Sequence, residues 1–321
     1  MELLRGLDSL RSDHSPCAAT IGAFDGVHRG HQAVIEQLRE QAQKHGQPMT
    51  VVTFEPLPRE YLAPDKAPAR LQSFRERFES IAALGVDRLL CLRFDDALRG
   101  MSADDFARRL FVEGLGVKSL VIGDDFRFGK AREGDAPFIR RLGEEVGFET
   151  HPTTTVEVSG ERVGSTRLRL ALERGDFVEA RELLGRDFSM AGRVIYGRQL
   201  GRQLDAPTAN IALRRRSVPL SGVFAVSVEG AGLSEQAGVA NVGMRPTVEA
   251  AAKPNLEVHL LDTDADLYGQ RLKVSFLRKI REEQRFDSVE ALKEQIHNDF
   301  AAAREWFAST SNSTDVSAEN R

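Results

Sequence analysis

Two imidazoles three residues apart, His28 and His31, stand in the stretch Ile21-Gly22-Ala23-Phe24-Asp25-Gly26-Val27-His28-Arg29-Gly30-His31. At that spacing both rings fall on one face of a helical turn. Glycines at 22, 26 and 30 let the backbone approach a ligand closely, and the amides that open a helix favour an anion. Imidazoles beside such donors could stabilise charge building on a phosphate undergoing displacement. The same pair could bind a metal, although no third His, Cys or carboxylate stands nearby at a recognisable ligand spacing. A satisfied structural pair is the other reading.

A second set lies in the other half. Gly192-Arg193-Val194-Ile195-Tyr196-Gly197-Arg198-Gln199-Leu200-Gly201-Arg202 runs into Ala206-Pro207-Thr208-Ala209-Asn210. The spacing of a Walker A loop is absent. A glycine-rich strand and turn with arginines could still wrap phosphate, and the Thr208 hydroxyl and Asn210 amide are hard oxygen ligands suited to Mg²⁺. Such turns are also common in barrels without any ligand. Ser165-Thr166-Arg167 at a helix mouth could hold the outer phosphates of a triphosphate, or simply cap the helix. Glu257 taken alone reads as an exposed strand residue.

The elements that must position these groups follow two rhythms. From about Cys17 to Val158, short apolar runs alternate with amphipathic stretches, which predicts a parallel sheet with crossover helices. Strands are expected at Ala18–Gly22, Thr50–Phe54, Leu89–Phe94, Ser119–Gly123 and Glu149–Pro152. Helices are expected near His31–His45, Phe74–Leu84, Ser102–Phe111 and Ala136–Val146, the third opening on Ser102 as N-cap. Right-handed crossovers then give a doubly wound sheet with its ligand at the carboxyl ends of the strands. After Leu184, strands are expected at Ala191–Tyr196, Thr208–Leu213, Val223–Val228, Gly238–Val242, Leu256–Leu261 and Leu272–Leu277, as in a small antiparallel barrel. A last helix opens on Asp287 and Glu290 in capping-box spacing, with Val289, Leu292, Ile296, Phe300 and Phe307 on one face.

A length of 321 residues exceeds the roughly 100–200 of one domain, so two are expected. With 44 Lys+Arg against 48 Asp+Glu the net charge is −4, which argues against a protein built to coat nucleic acid or an anionic membrane. No apolar run approaches the roughly 18 residues of a membrane helix, and the start lacks a signal-peptide core, so a cytoplasmic location is expected. Cys17 and Cys91 read as buried free thiols of a reducing compartment. The small polar stretch from Ser309 reads as a frayed tail.

His28-Arg29-Gly30-His31 closely resembles the His-x-Gly-His signature of the nucleotidyltransferase superfamily. With Phe24-Asp25-Gly26 it looks like the adenylyltransferase half of the bifunctional riboflavin kinase/FAD synthetases. Further stretches match that family in order: Thr53-Phe54-Glu55-Pro56-x-Pro58, then Gly123-Asp124-Asp125-Phe126-Arg127-Phe128-Gly129 through Gly134-Asp135, then Ser165-Thr166-Arg167-Leu168-Arg169. Gly164 replaces the first Ser of the last motif, and Leu57 stands where relatives carry His, so those two contacts do not transfer. The block ending Pro207-Thr208-Ala209-Asn210 resembles the riboflavin kinase signature, although Asp205 replaces the usual Gly. It is followed by Asn241-Val242-Gly243-Met244-Arg245-Pro246-Thr247, Glu257-Val258-His259, Asp266-Leu267-Tyr268-Gly269 and Arg281-Glu282-Glu283. The matches run from about residue 18 to 305.

The resemblance implies an α/β unit plus a β unit. Residues 1–186 would be a Rossmann-like FMN adenylyltransferase domain with a doubly wound parallel sheet. Residues 187–308 would be a riboflavin kinase domain, an antiparallel β-barrel with a terminal helix, and 309–321 a disordered tail. The implied reactions are riboflavin plus ATP to FMN plus ADP, then FMN plus ATP to FAD plus pyrophosphate, both using Mg²⁺ with ATP. The partners would be these small molecules, with no nucleic acid and no membrane. Glu257 is implied as catalytic base, and His28 and His31 as the adenylyl-transfer pair. Gly22, Phe24, Asp25, Gly26, Ser165, Thr166 and Arg167 would bind ATP, and Asp125, Phe126 and Phe128 the flavin. In the kinase half, Gly192, Gly197, Gly201 and Asn241 would bind ATP, with Thr208 and Asn210 at the metal. Two rival readings stand beside this one. A cytidylyltransferase-like enzyme for another metabolite leaves the second half unexplained. A flavin- or nucleotide-binding regulatory module would keep both folds without turnover, which the intact His28, His31, Thr208, Asn210 and Glu257 weigh against.

Overall fold

Successive residues of the first long strand feed two different cores. Cys17, Ala19 and Ile21 enter one apolar cluster and Ala18 enters the other. The next strands alternate in the same way, Val52 and Phe54 against Val51, Leu90 and Leu92 against Leu89, Leu120 and Ile122 against Val121. Strands buried on both faces read as continuous apolar runs and belong to a parallel sheet covered by helices on each side. The computed structural model, which describes residues 1–197, 206–245, 253–263 and 265–318, shows that sheet.

Its strands are β1 (Glu2–Arg5), β2 (Cys17–Ile21), β3 (Met49–Glu55), β4 (Arg88–Arg93), β5 (Val117–Ile122) and β6 (Glu149–Pro152). They lie in the order β1-β4-β3-β2-β5-β6, every pairing parallel. The helices are α1 (Arg29–His45), α2 (Pro58–Leu62), α3 (Phe74–Ala82), α4 (Asp96–Gly100), α5 (Ala103–Ala107) and α6 (Ala136–Val146). α1 and α3 cover one face through Ile35, Leu38 and Ile81, while α5 and α6 cover the other through Phe106, Ile139 and Leu142. Strand order reverses between β2 and β5, so the loops leaving these two strands flank the switch point where such sheets bind ligands.

β1 was not expected from the sequence: four residues long, it buries only Leu4 and pairs at the edge with β4. The helix expected over Ser102–Phe111 is capped by Ser102, whose side chain accepts from the Asp105 amide, but it changes after Ala107 to a π-helical stretch, Arg108–Gly114. Both cysteines are free and buried.

This first unit comprises Met1–Pro68 and Phe74–Ser165, including the short pair β7 (Glu157–Val158) and β8 (Glu161–Arg162). The second comprises Ala69–Ser73 and Thr166–Arg321. α7 (Ser165–Arg174) thus starts at the edge of the first unit and continues in the second, where α8 (Phe177–Leu184) packs on the barrel strands that follow it. Five residues of the first half also join the second unit. Arg169 Nε donates to the Ala69 carbonyl at 2.6 Å and Arg215 Nη1 to the Leu71 carbonyl at 3.0 Å.

The second unit is a closed barrel of β9 (Phe188–Ile195), β10 (Ala209–Ala212), β11 (Gly222–Gly230), β12 (Leu233–Arg245), β13 (Lys253–Leu260) and β14 (Arg271–Arg281), ordered β10-β13-β12-β11-β14-β9 and antiparallel throughout. Phe177 of α8 closes it by packing its ring on Phe224 and Phe276 at centroid distances of 5.7 and 6.4 Å. The last helix, α9 (Val289–Ala318), lays Phe300 and Ala303 on the outside of the barrel beside Val223, Ala225 and Val239. Its cap is Ser288, whose Oγ accepts from the Ala291 amide at 3.1 Å, rather than the expected Asp287. Val289 is exposed, so the buried face starts later than expected, and the helix continues into the stretch read as a frayed tail. Among the described residues no helix is long and apolar enough to cross a membrane.

Candidate active sites

The loop from β2 to α1 holds three residues with left-handed backbone, Phe24 (φ 50°), Gly26 (φ 92°) and Val27 (φ 41°). Only glycine adopts this region without cost, so the two non-glycine residues mark a conformation that the surroundings impose. His28 then caps α1, its Nδ1 accepting from the His31 amide at 3.3 Å. An Nδ1 that accepts places the ring proton on Nε2. The two imidazoles stack, centroids 3.7 Å apart and 15° from coplanar. Gly30 makes this possible, since a Cβ there would stand 3.2 Å from the His28 ring. Burial pushes the His31 imidazole well below its ordinary pKa of 6.5, and the nearby His28 and Arg77 act in the same direction. His31 is thus a hydrogen-bonding, uncharged ring at neutral pH, not the positive charge that the residue type alone allows.

Phe24 and Asp25 are buried at 2% and 3% exposure. Ser165, which opens α7, donates its hydroxyl to the Asp25 carbonyl at 2.9 Å and so ties its own helix start to this loop. The neighbouring Thr166 is exposed, and Arg167 is held by Glu179 at 2.7 Å within the second unit. In the loop after β5, Phe126 stacks on Phe128 at 5.2 Å. Phe128 itself is buried against Phe106 and Phe138, so Phe126 and the exposed Asp125 are the two of that trio that solvent reaches.

In the barrel, strand register brings three of the expected residues into one row. Glu257 on β13 pairs directly with Asn210 on β10 and with Asn241 on β12. Residues directly opposite in an antiparallel sheet project to the same face, with Cβ atoms about 4.5–5.5 Å apart. Leu256 and Val258 point into the barrel core, so Glu257 lies on its outer face. Asn255, two residues earlier and on that face, donates its amide to Glu257 Oε1 at 2.8 Å. Asn210 is 6% exposed, and Gly197 lies so close that a Cβ there would meet its side-chain amide at 2.3 Å. Gly192 serves the barrel instead: a Cβ there would stand 2.5 Å from the Ala212 carbonyl of the neighbouring strand. Thr208 stands just before β10 rather than inside a strand. Its predecessor Pro207 is fastened by His259, whose Nδ1 lies 2.8 Å from the Pro207 carbonyl while its ring stacks on Phe300 at 4.1 Å. Gly201 lies outside the described residues.

Two contributors, Arg77 and Asn255, went unforeseen, and a third, Glu283, was named only as part of a family motif. Arg77, fully buried on α3, contacts the Ala23 and Phe54 carbonyls and Glu55. Asn255 orients Glu257, and Glu283 lies so close to Gly243 that a Cβ there would meet its carboxylate. A one-in-two strand pattern could have placed Asn255 beside Glu257; no local signal marks Arg77.

The FAD synthetase family matches residues 10–167 and the riboflavin kinase family residues 184–307. A bifunctional riboflavin kinase/FMN adenylyltransferase of Pseudomonas fluorescens is 54% identical over 95% of this chain and 97% of its own length. Its namesake from Escherichia coli K12 is 47% identical over 97% and 99%. A solved structure, that of a macrolide-efflux protein from Streptococcus pneumoniae, shares 27% identity over 95% of this chain and 100% of its own, with a TM-score of 0.79. With both family patterns in order and whole-length relatives at this identity, the chain belongs to the bifunctional riboflavin kinase/FMN adenylyltransferase family.

Proposed function

We propose that the barrel phosphorylates riboflavin from ATP and that the parallel-sheet unit then joins FMN to the adenylyl group of a second ATP. The observation that carries the residue roles is the row Asn210, Glu257 and Asn241 on adjacent strands, with Asn255 holding the carboxylate. Riboflavin offers a neutral primary alcohol. As its oxygen bonds to the γ-phosphorus and the bond to the β,γ-bridging oxygen breaks, ADP leaves and the alcohol proton passes to Glu257. Glu257 returns that proton to water after product release.

FMN instead brings a phosphate already ionised at neutral pH. Its oxygen bonds to the α-phosphorus as pyrophosphate leaves, and no base is needed. The sheet unit has to position the reactants and meet developing charge, which suits stacked imidazoles that donate hydrogen bonds at a helix start. Phe126 and Asp125, the accessible part of the loop after β5, would meet the flavin.

Mg²⁺ enters as part of Mg·ATP. Thr208 and Asn210 would hold it in the barrel, and they fit: both offer neutral hard oxygens, and Asn210 is locked under Gly197. The ion supplies charge neutralisation across the phosphates when bound. We assign adenylyl transfer to residues 1–186 and riboflavin phosphorylation to 187–308, with α7 and α8 serving the barrel as structure.

Incubating the full chain with riboflavin and Mg·ATP and separating the flavins by chromatography tests both reactions. FMN should form first and FAD after it. FMN formation without FAD would leave the sheet unit's assignment unsupported, and no conversion of riboflavin would remove that of the barrel.

A further inference from the structure

Arg77 sits in the middle of α3 with no solvent exposure. Burying a guanidinium is costly unless its donors are met, and an apolar residue of similar size would often be as stable there. Its Nη1 donates to the Ala23 carbonyl at 2.8 Å, and its Nη2 donates to the Phe54 carbonyl and to Glu55 Oε2, both at 3.0 Å. Thr53 adds a second donor to the Ala23 carbonyl at 3.3 Å. The phosphate-site loop and the end of β3 are thereby locked by one side chain.

The consequence lies in the peptide that joins Ala23 to Phe24. A trans peptide is planar and its C=O and N–H point in opposite directions. With the Ala23 oxygen turned inward onto Arg77 and Thr53, the Phe24 N–H must point the other way. That amide has no acceptor among the described residues. It belongs to the left-handed stretch that leads into His28 and His31.

We propose that Arg77 is a positioning residue for adenylyl transfer: it fixes the Ala23–Phe24 peptide so that the Phe24 amide faces the phosphates of ATP beside His28 and His31. The proposal rests on the reading of that loop as the adenylyl-transfer site. Arg77 does not touch substrate. It also adds a buried positive charge near His31, in keeping with the neutral form of that ring.

The test uses the full chain carrying Arg77→Met, which keeps length and removes every donor, or Arg77→Lys, which keeps charge and a single donor head. FAD formation from FMN and FMN formation from riboflavin are measured on the same samples, with kcat and KM separated and Tm recorded. In Arg77→Met, kcat for FAD formation should fall about 10–10²-fold, less than the 10²–10³ of a direct oxyanion donor. KM for FMN should change little and riboflavin phosphorylation should be unaltered. Arg77→Lys should recover part of the lost kcat. FAD formation within twofold of the parent in folded Arg77→Met would overturn the proposal. If that variant does not fold, Thr53→Val decides, because it removes the other donor to the same carbonyl: a several-fold fall in kcat supports the proposal and an unchanged kcat overturns it. His28→Ala, run alongside, separates the two ideas. If it abolishes FAD formation while the Arg77 variants are normal, only the proposal fails; if it too is normal, the site assignment itself is wrong.

Discussion

Glu257 and Asn210 face each other across adjacent antiparallel strands, although 47 residues of chain separate them. Asn241 completes the row from the other side. The row is produced by register alone: a slip of one residue would turn Glu257 into the barrel core and Leu256 or Val258 outward. The apolar alternation of β13 therefore fixes where the carboxylate stands, and the same core that stabilises the barrel places the chemistry.

Gly197 leaves no room for a side chain beside Asn210. A Cβ on Gly197 would come within 2.3 Å of its Nδ2 and 2.7 Å of its Oδ1, distances that side chains do not tolerate. Gly197→Ala should push the amide out of the row and lower riboflavin phosphorylation by about 10²-fold, the usual effect of a misplacement near 1 Å. FAD formation from supplied FMN should be unchanged in the same sample. Steady-state rates for both reactions check this, and a kinase rate within threefold of the parent would show that Asn210's position does not matter.

The parts of this arrangement legible in the sequence are those with a local signal. Alternation and period marked the central strands of the sheet, the barrel strands and the helices α1, α3, α5, α6 and α9, because both faces of the sheet and the inside of the barrel are apolar; the short α2 and α4, the helix α8 and the pair β7 and β8 were not expected. β1 escaped because only Leu4 of its four residues is buried. The helix cap was misplaced by one residue because Asp287 and Ser288 are both good caps and only geometry distinguishes them. Among the proposed site residues, the histidine pair and Glu257 could be named from their motifs, whereas Arg77 could not. An arginine in Phe74-Arg75-Glu76-Arg77-Phe78 looks like any solvated helix residue until the fold brings three acceptors to it. The units divide at Ser165 rather than at a motif edge for a similar reason: Phe177 belongs to the barrel through ring contacts made with residues far along the chain.

That contact bears on fragments. A piece starting at residue 187 would expose the Phe224 and Phe276 rings that Phe177 covers, and loss of a buried Phe typically costs about 3–5 kcal/mol. Residues 166–310 should therefore melt at a clearly higher temperature than residues 187–310, and both should make FMN but no FAD while folded. Thermal melts and flavin chromatography on the two fragments provide the check. Equal melting temperatures would mean that α7 and α8 contribute nothing to the barrel.

His31 predicts an acid sensitivity. Its folded pKa lies well below 6.5, so on acidification the unfolded chain binds a proton that the folded chain refuses. Stability then falls as pH drops below about 6.5, by up to about 1.4 kcal/mol per pH unit for one such group, until the folded pKa is reached. Above pH 7.5 the effect vanishes. His31→Gln should flatten this part of the profile, read by urea unfolding at pH 7.5, 6.5 and 5.5 against the parent. Parallel profiles for the two proteins would show that His31 titrates alike in both states.

Glu257→Gln separates the proposed role of Glu257 as base from its place in the architecture. The amide keeps the volume of the carboxylate and can still accept from Asn255, yet it cannot take up the proton of the attacking alcohol. General-base contributions are typically about 10²–10⁴-fold, so kcat for FMN formation should fall by that order with little change in riboflavin KM. Tm should stay close to the parent, because the residue lies on the outer face of β13 and not in its core. FAD formation from supplied FMN should persist, since an ionised phosphate needs no base. Near-normal phosphorylation would remove Glu257 from the mechanism. A joint loss of both activities with a lowered Tm would instead mark it as a residue that holds the strand row together.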